Sequence, residues 1–285
     1  MKILINGSNG FIGKNLSEFL KKNYDNVYDP KRQELDLTDS NLVKKYLLKN
    51  NFDIIIHCAI TLNSTEQNLK MYSNFEENSK NYGKMICIGS AAEYSPKHYY
   101  PLMKEDYFGK HIPEVKDIYS YSRFKIAEDI EKKNKNIFNL RVFGIYGKYE
   151  NYNRRFISNI ICRILAGQEI VVNQNSIFDY LYIDDFCVLL EKFIKQNPAK
   201  KTYNLCTSMP VDLITLAQYI KKISKHYGEI IVKNKEIKMN YTGDNTRFLK
   251  EFGDYNFIDH ESAIKDLYNW YKDKSGINFK KINFN

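Results

Sequence analysis

The stretch MKILINGSNGFIGKNLSEFL (residues 1–20) runs an apolar segment, Lys2 to Asn6, straight into three glycines, Gly7, Gly10 and Gly13, and a helical pattern follows. Glycine lets the backbone turn tightly and leaves no Cβ in the way. A helix N-terminus presents unpaired N–H groups and a partial positive charge. Together they make a seat for phosphate. The spacing is G-x-x-G-x-x-G, and a tight strand-to-helix connection is the competing reading. The order strand, glycine turn, helix at the start of the chain favours a dinucleotide-binding α/β unit.

Outward from this turn the first half alternates. KILIN, DNVYD, DIIIHCA and MICIGS read as strands, and NLSEFLKKN and SNLVKKYLLKN as helices between them. Continuous apolar runs such as IIIHCA fit strands buried on both faces. SRFKIAEDIEKK reads as a helix and FNLRVFGIY as the next strand. The expected fold is α/β, a Rossmann-type doubly wound parallel sheet with a smaller mixed C-terminal substrate domain. Its dinucleotide-binding domain spans residues 1–147. Strands near 177–205 return to its sheet, and 148–176 with 206–285 form the substrate region.

The 285 residues carry a net charge of +9 and 43% hydrophobic residues, which is globular composition. No run approaches the ~20 apolar residues that cross a bilayer, and the start leads directly into a strand, so no membrane partner and no secretory leader are expected. The five cysteines are scattered, mostly inside apolar runs, as reduced thiols of a cytoplasmic protein would be. No Cys/His cluster has metal-ligand spacing. Lysines are interspersed with acids and asparagines, so nucleic acid is not an expected partner, and the basic balance suits an anionic small substrate.

In DIYSYSRFKIAED, Tyr121 and Lys125 are four apart and share a helix face. An ammonium beside a phenol favours the phenolate, which makes a weak acid of pKa about 10 serviceable as an acid/base. An exposed Tyr–Lys pair is the competing reading. In CIGSAAEY, Ser90 ends a buried strand at the carboxyl edge, where such sheets bind ligands. Its hydroxyl either meets a substrate oxygen or caps the next turn.

The order glycine triplet, Ser90, Tyr121 and Lys125 resembles the extended short-chain dehydrogenase/reductases, the nucleotide-sugar-modifying NAD-dependent epimerase/dehydratase family, over roughly Met1 to Leu205. The resemblance implies that GSNGFIG (with Gly7, Asn9, Gly10, Phe11, Ile12 and Gly13) holds the cofactor pyrophosphate. Asp36 and Leu37 of ELDLTD touch the adenine, Cys58 and Ala59 of IIHCAI flank the cofactor, and Asn68 stands on the cofactor side. Tyr121 is the acid/base, Lys125 holds the nicotinamide ribose, and Ser90 orients the sugar oxygen. Asp29 and Arg32 follow the second strand, and Arg32 favours NADPH over NADH or NAD. At the serine strand the dehydratases' acidic pair is missing. Ala91 and Ala92 follow Ser90, with Ala92 where the GDP-fucose synthases carry cysteine, and YNRRFIS holds no histidine. What remains is hydride transfer: C4 reduction of a nucleotide-diphospho-4-keto-6-deoxy sugar, GDP- or CDP-linked, or else C4 epimerisation. Arg154, Arg155 and Arg247 are the candidate diphosphate cations. In FDYLYIDD, Ile177 or Phe178 stands where the family has arginine before Asp179. A homodimer is implied by the resemblance alone.

Overall fold

Strand β1 (Lys2–Asn6) is flanked by β2 (Asn26–Tyr28) on one side and β3 (Phe52–His57) on the other, parallel to both, in the computed structural model, which describes residues 1–274 and Phe279. Helix α1 (Phe11–Asn23) joins β1 to β2, α2 (Ser40–Asn50) leads to β3, and α3 (Thr65–Glu76) leads to β4 (Tyr82–Ser90). Helix α4 (Ile118–Lys132) precedes β5 (Ile137–Val142). After β6 (Gly144–Tyr146), α5 (Phe156–Leu165), β7 (Ile170–Val172), β8 (Ile177–Phe178), β9 (Tyr180–Tyr182) and α6 (Ile183–Lys195), strand β10 (Thr202–Leu205) comes back beside β5. The order β10-β5-β4-β3-β1-β2 is parallel throughout, and the winding reverses direction at β1, as expected of a Rossmann-type sheet.

Period-two alternation explains why both faces are covered. Ile3, Ile5, Ile54, Ile56, Ile86 and Ile88 enter one core with Leu16 and Leu20 of α1. Leu4, Ile55, Met85 and Cys87, one residue out of phase, enter the other with Val43, Leu47, Phe75 and Ile130. Each fully buried aliphatic side chain contributes about 1.5–3 kcal/mol, so the register is strongly fixed.

The remaining elements are β11 (Val211–Asp212), α7 (Leu213–Ser224), β12 (Ile230–Val232), β13 (Asn240–Tyr241), α8 (Thr246–Phe252) and α9 (His260–Asp273). They build small sheets, β11-β8-β13 and β12-β7, against α5, α7 and α9. One expectation changes here. The strand near Asp179 does not return to the main sheet: β8 pairs with β11 and β13, and β9 pairs with β6. The place beside β5 belongs to the wholly buried β10. Asp179 separates β8 from β9 and turns its carboxylate onto Thr207 N, Thr207 Oγ1 and Ser208 N at 2.7–2.8 Å. The expected substrate region, 206–285, ends in residues outside those described. Among the described residues no helix is long and apolar enough to cross a membrane.

Candidate functional site

The glycine turn lies at the point where the sheet's winding reverses. Gly7 has φ +72°, and a Cβ there would stand 2.6 Å from Ala59 N, so the turn and the Cys58–Ala59 segment touch backbone to backbone. Gly13 packs the first turn of α1 directly on the Gly7 carbonyl. Asn6 locks the two strand ends together through His57 Nδ1 (2.9 Å) and Ala59 N (3.2 Å). Gly10 caps α1 without a side-chain bond, and no acid stands in the first turn. By contrast Asp39, Ser64 and Asp117 cap α2, α3 and α4. A Cβ on Gly10 would meet only the Gly7 carbonyl, at 3.3 Å. The start of α1 thus has room beside Gly10 and no side-chain cap, and this fits a dinucleotide pyrophosphate. Phe11 and Ile12 carry the turn on to a cavity of about 370 Å³.

Asn9 belongs to this same turn. Asp36 accepts from Thr38 N (2.9 Å) and Thr38 Oγ1 (2.7 Å), bonds that hold its carboxyl below the usual range. Leu37 packs on the second core, and its carbonyl accepts from Asn74. Burial pushes the Cys58 thiol up to about 12. Asn68 is buried with its amide spent inside the protein: Oδ1 accepts from Thr61 N (2.8 Å), and Nδ2 donates to Thr61 O (2.8 Å) and Ser122 Oγ (3.1 Å). These bonds fix the loop after β3 to α4.

Ser90 closes β4, is 6% exposed and lines the cavity. Its Oγ accepts from Ala92 N (3.2 Å), Glu93 Oε1 accepts from Ser90 N (2.9 Å), and the Tyr241 hydroxyl lies against it. Below this turn Glu93 Oε2 meets Arg141 Nε at 2.6 Å and Asn139 Nδ2 at 2.9 Å, while Arg141 also donates to the Tyr94 hydroxyl. Ala91 is fully buried, and Ala92 lines the cavity.

Helix α4 opens one turn earlier than its sequence suggested, at Ile118, because Asp117 caps it through Ser120 N (3.1 Å) and Ser120 Oγ (2.6 Å). Its buried face carries Ser122, Arg123, Ile126 and Ala127. Tyr119 and Arg123 line the cavity beside Ser90, and Tyr121 and Lys125 do not. Lys125 is ion-paired with Glu128, which raises it above its ordinary value. Tyr119 with Arg123 and Tyr121 with Lys125 both have the i,i+4 relation on this helix.

Of the three candidate cations, Arg155 lines the cavity, Arg154 is exposed beside it, and Arg247 does not reach it. Arg247 instead donates to Thr202 O (3.0 Å) and faces Glu105 at 3.6 Å, so it braces β10. Phe178 and Tyr180 form the wall where the arginine of the sequence pattern was missing. Glu150 was not foreseen. It lines the cavity, 4% exposed, bonded to Ser158 Oγ, and burial pushes its carboxyl up to about 7. Folded Glu150 holds its proton more tightly than the unfolded chain does. Stability is therefore greatest below the ordinary value of 4.5 and falls as pH rises to about 7. Glu150→Gln is expected to remove this fall. Urea midpoints measured from pH 5 to 8 check it, and parallel curves for the two proteins would refute it.

Among the described residues no three His, Cys, Asp or Glu side chains form a metal-binding group. The family model for the NAD dependent epimerase/dehydratase family matches residues 3–206. The GDP-6-deoxy-D-talose 4-dehydrogenase of Aggregatibacter actinomycetemcomitans is 24% identical over 94% of this chain and 97% of its own length. The GDP-L-colitose synthase of Yersinia pseudotuberculosis is 24% identical over 93% and 96%. The solved structure of a GDP-mannoheptose C4 reductase from Campylobacter jejuni with NADP bound superposes with a TM-score of 0.80 at 21% identity, covering 95% of this chain and 98% of that one. With a family match over most of its length and the glycine turn, parallel sheet and serine strand in place, the chain belongs to the NAD dependent epimerase/dehydratase family, whose members are NAD(P)-dependent enzymes.

Proposed function

We propose that the protein is an NADPH-dependent C4-ketoreductase of a nucleotide-diphospho-4-keto-6-deoxy sugar, hexose or heptose, without epimerase activity at C3 or C5. One observation carries the reading. The cavity around Ser90 is lined by hydroxyls, arginines and aromatic rings, and among the described residues its wall holds neither a thiol nor an imidazole. Moving a C–H proton next to a ketone needs a base, for which a carboxylate can also serve. Glu150, the one carboxylate in the wall, is tied to Ser158 and has its second oxygen buried. Hydride delivery with protonation of the oxygen is the chemistry left. The relatives named for GDP-sugars support GDP as the nucleotide, and Arg155, which lines the cavity, supports a diphosphate contact. A homodimer through α4 and a cytoplasmic setting belong to the same reading.

The preference for NADPH rests on the turn after β2. The Asp29 carboxylate, which would otherwise hold ribose hydroxyls, already accepts from Ser17 Oγ (2.5 Å) and Lys21 Nζ (2.7 Å). Arg32 is exposed, with Asp36 3.6 Å away as its only ion pair among the described residues. Arg32→Ala is expected to weaken NADPH about tenfold, the worth of one charged hydrogen bond, and to leave NADH unchanged. Cofactor titration by nicotinamide fluorescence reads both, and equal loss of the two would remove the assignment.

To test the function, purified protein and NADPH are mixed with GDP-, CDP-, dTDP- and UDP-4-keto-6-deoxy sugars made in situ. Stoichiometric loss of NADPH absorbance with one of them is the expected result. No loss with any of them, alongside C4 inversion of an unoxidised nucleotide sugar, would replace the reductase by an epimerase.

A further inference from the structure

Two tyrosine–cation pairs at four-residue spacing overlap on α4: Tyr121 with Lys125, and Tyr119 with Arg123. The helix presents them on different faces. Lys125 is partly exposed and satisfied by Glu128. Arg123 is the opposite case. It is only 5% exposed, it lines the cavity, its Nε has no hydrogen-bond partner, and among the described residues no carboxylate pairs with it. Its guanidinium carbon stands 5.6 Å from the centre of the Tyr119 ring. Its charge reaches the ends of β3 and β4, where burial first, and Arg123 second, holds His57 down to about 3 and therefore neutral. Among the described residues no neighbouring anion offsets the cost of burying this cation. A buried donor left unpaired marks a place that something else completes.

The fold determines what that is. Asn68 donates to Ser122 at 3.1 Å, and with Phe124, Ile126 and Ala127 also buried, α4 turns Arg123 toward the Cys58 end of β3, beside the glycine turn. Tyr119 interacts with Tyr99 and Tyr241, and Tyr241 lies on Ser90.

We propose that Tyr119 is the proton donor of the reaction and that Arg123, in the place expected of a lysine, holds the nicotinamide ribose beside it. The pair Tyr121–Lys125 is then surface structure. This assignment rests on the ketoreductase reading for its chemistry and on geometry alone for its cofactor contact. As hydride from the reduced nicotinamide joins the ketone carbon, the carbonyl π pair takes the Tyr119 proton. The phenolate, stabilised by Arg123, then recovers a proton from water. The products are the alcohol and the oxidised cofactor. Arginine differs from lysine in offering five donors in one plane and in staying charged at every working pH.

Two measurements test it. The first needs no substrate: NADPH dissociation constants and thermal midpoints for the whole chain, Arg123→Met and Lys125→Met. Arg123→Met is expected to bind NADPH at least about tenfold more weakly and to lose the cofactor-induced rise in midpoint, while its cofactor-free midpoint is no lower than the unaltered protein's. Lys125→Met is expected to bind as the unaltered protein does. The reverse pattern, or tight binding by Arg123→Met, overturns the assignment. The second measures turnover. Tyr119→Phe is expected to lose about 10²–10⁴ in kcat with NADPH affinity retained, and the loss should not fall on Tyr121→Phe. A loss falling on Tyr121→Phe instead overturns Tyr119 as donor and leaves the reductase standing. If the unaltered protein reduces no 4-keto sugar while the Arg123 binding result holds, the substrate reading fails and the cofactor contact survives.

Discussion

Arg141→Met is expected to cost about 3–5 kcal/mol of stability, the range for breaking a buried ion pair from one side. Arg141 and Glu93 are 0% and 1% exposed at the side chain, and nothing solvates the acid once its partner is gone. Arg141 lies opposite Gly89 in the β4–β5 pairing, so the loss falls directly under the turn that presents Ser90. The remaining donors to Glu93, Ser90 N and Asn139 Nδ2 at 2.9 Å each, cannot supply a charge. The Tyr94 hydroxyl keeps its bond to Asn204 Oδ1 at 2.6 Å, so the damage centres on Glu93. The measurement is the urea midpoint and slope, with Glu93→Gln/Arg141→Met as the companion. Removing the charge on both sides should recover part of the loss, since the desolvation penalty goes with it. A single-variant loss under about 1 kcal/mol, the value of an exposed pair, would show that water reaches this network. Because Glu93 holds the Ser90 amide, the same variant should lose activity at temperatures where it is still folded.

Much of the fold was legible because its signals are local. KILIN followed by the glycine turn needs only neighbouring residues to be read, and the structure places each of those glycines where a side chain would collide or where the helix start must stay open. The apolar runs IIIHCA and MICIG gave β3 and β4 because strands covered on both faces show no polar alternation. The strand around Asp179 was misplaced for the converse reason. FDYLYID looks like one strand, but the buried Asp179 carboxylate takes three donors from residues 207 and 208, and this interrupts it. The phase of α4 was beyond local reading. YSYSRFK offers two pairs at the same spacing, and the packing of Phe124, Ile126, Ala127 and Ile130, with the contact of Asn68 to Ser122, decides which residues turn inward. Asn68, expected on the cofactor side, spends its amide on Thr61 and Ser122. Arg247 went the same way: an arginine far along the chain looks free until β10 and Glu105 close on it. Glu150 gave no motif at all, and only burial against Ser158 distinguishes it from a surface acid.

Ser90→Ala is expected to lower kcat by about 10²–10³, the usual effect of removing one donor from the place where oxyanion charge develops. The competing role for this serine is to cap the turn that follows it, and the structure allows the two to be separated. As a cap, Ser90 accepts from Ala92 N at a long 3.2 Å, and the turn has a second clasp in the bond from Ser90 N to Glu93 Oε1, which alanine leaves intact. A capping role alone would therefore cost about 1 kcal/mol of stability and little activity. As a donor, Ser90 has its hydroxyl proton free for Tyr241 or for a ketone oxygen in the cavity, and that bond strengthens as the oxygen gains charge. The loss should then appear in kcat and in kcat/KM together, with KM and the NADPH dissociation constant nearly unchanged. Tyr241→Phe, which removes the neighbouring hydroxyl and leaves Ser90 in place, should cost far less. If Ser90→Ala keeps kcat within about fivefold, its hydroxyl is worth no more than an ordinary neutral hydrogen bond, and the cap is its role.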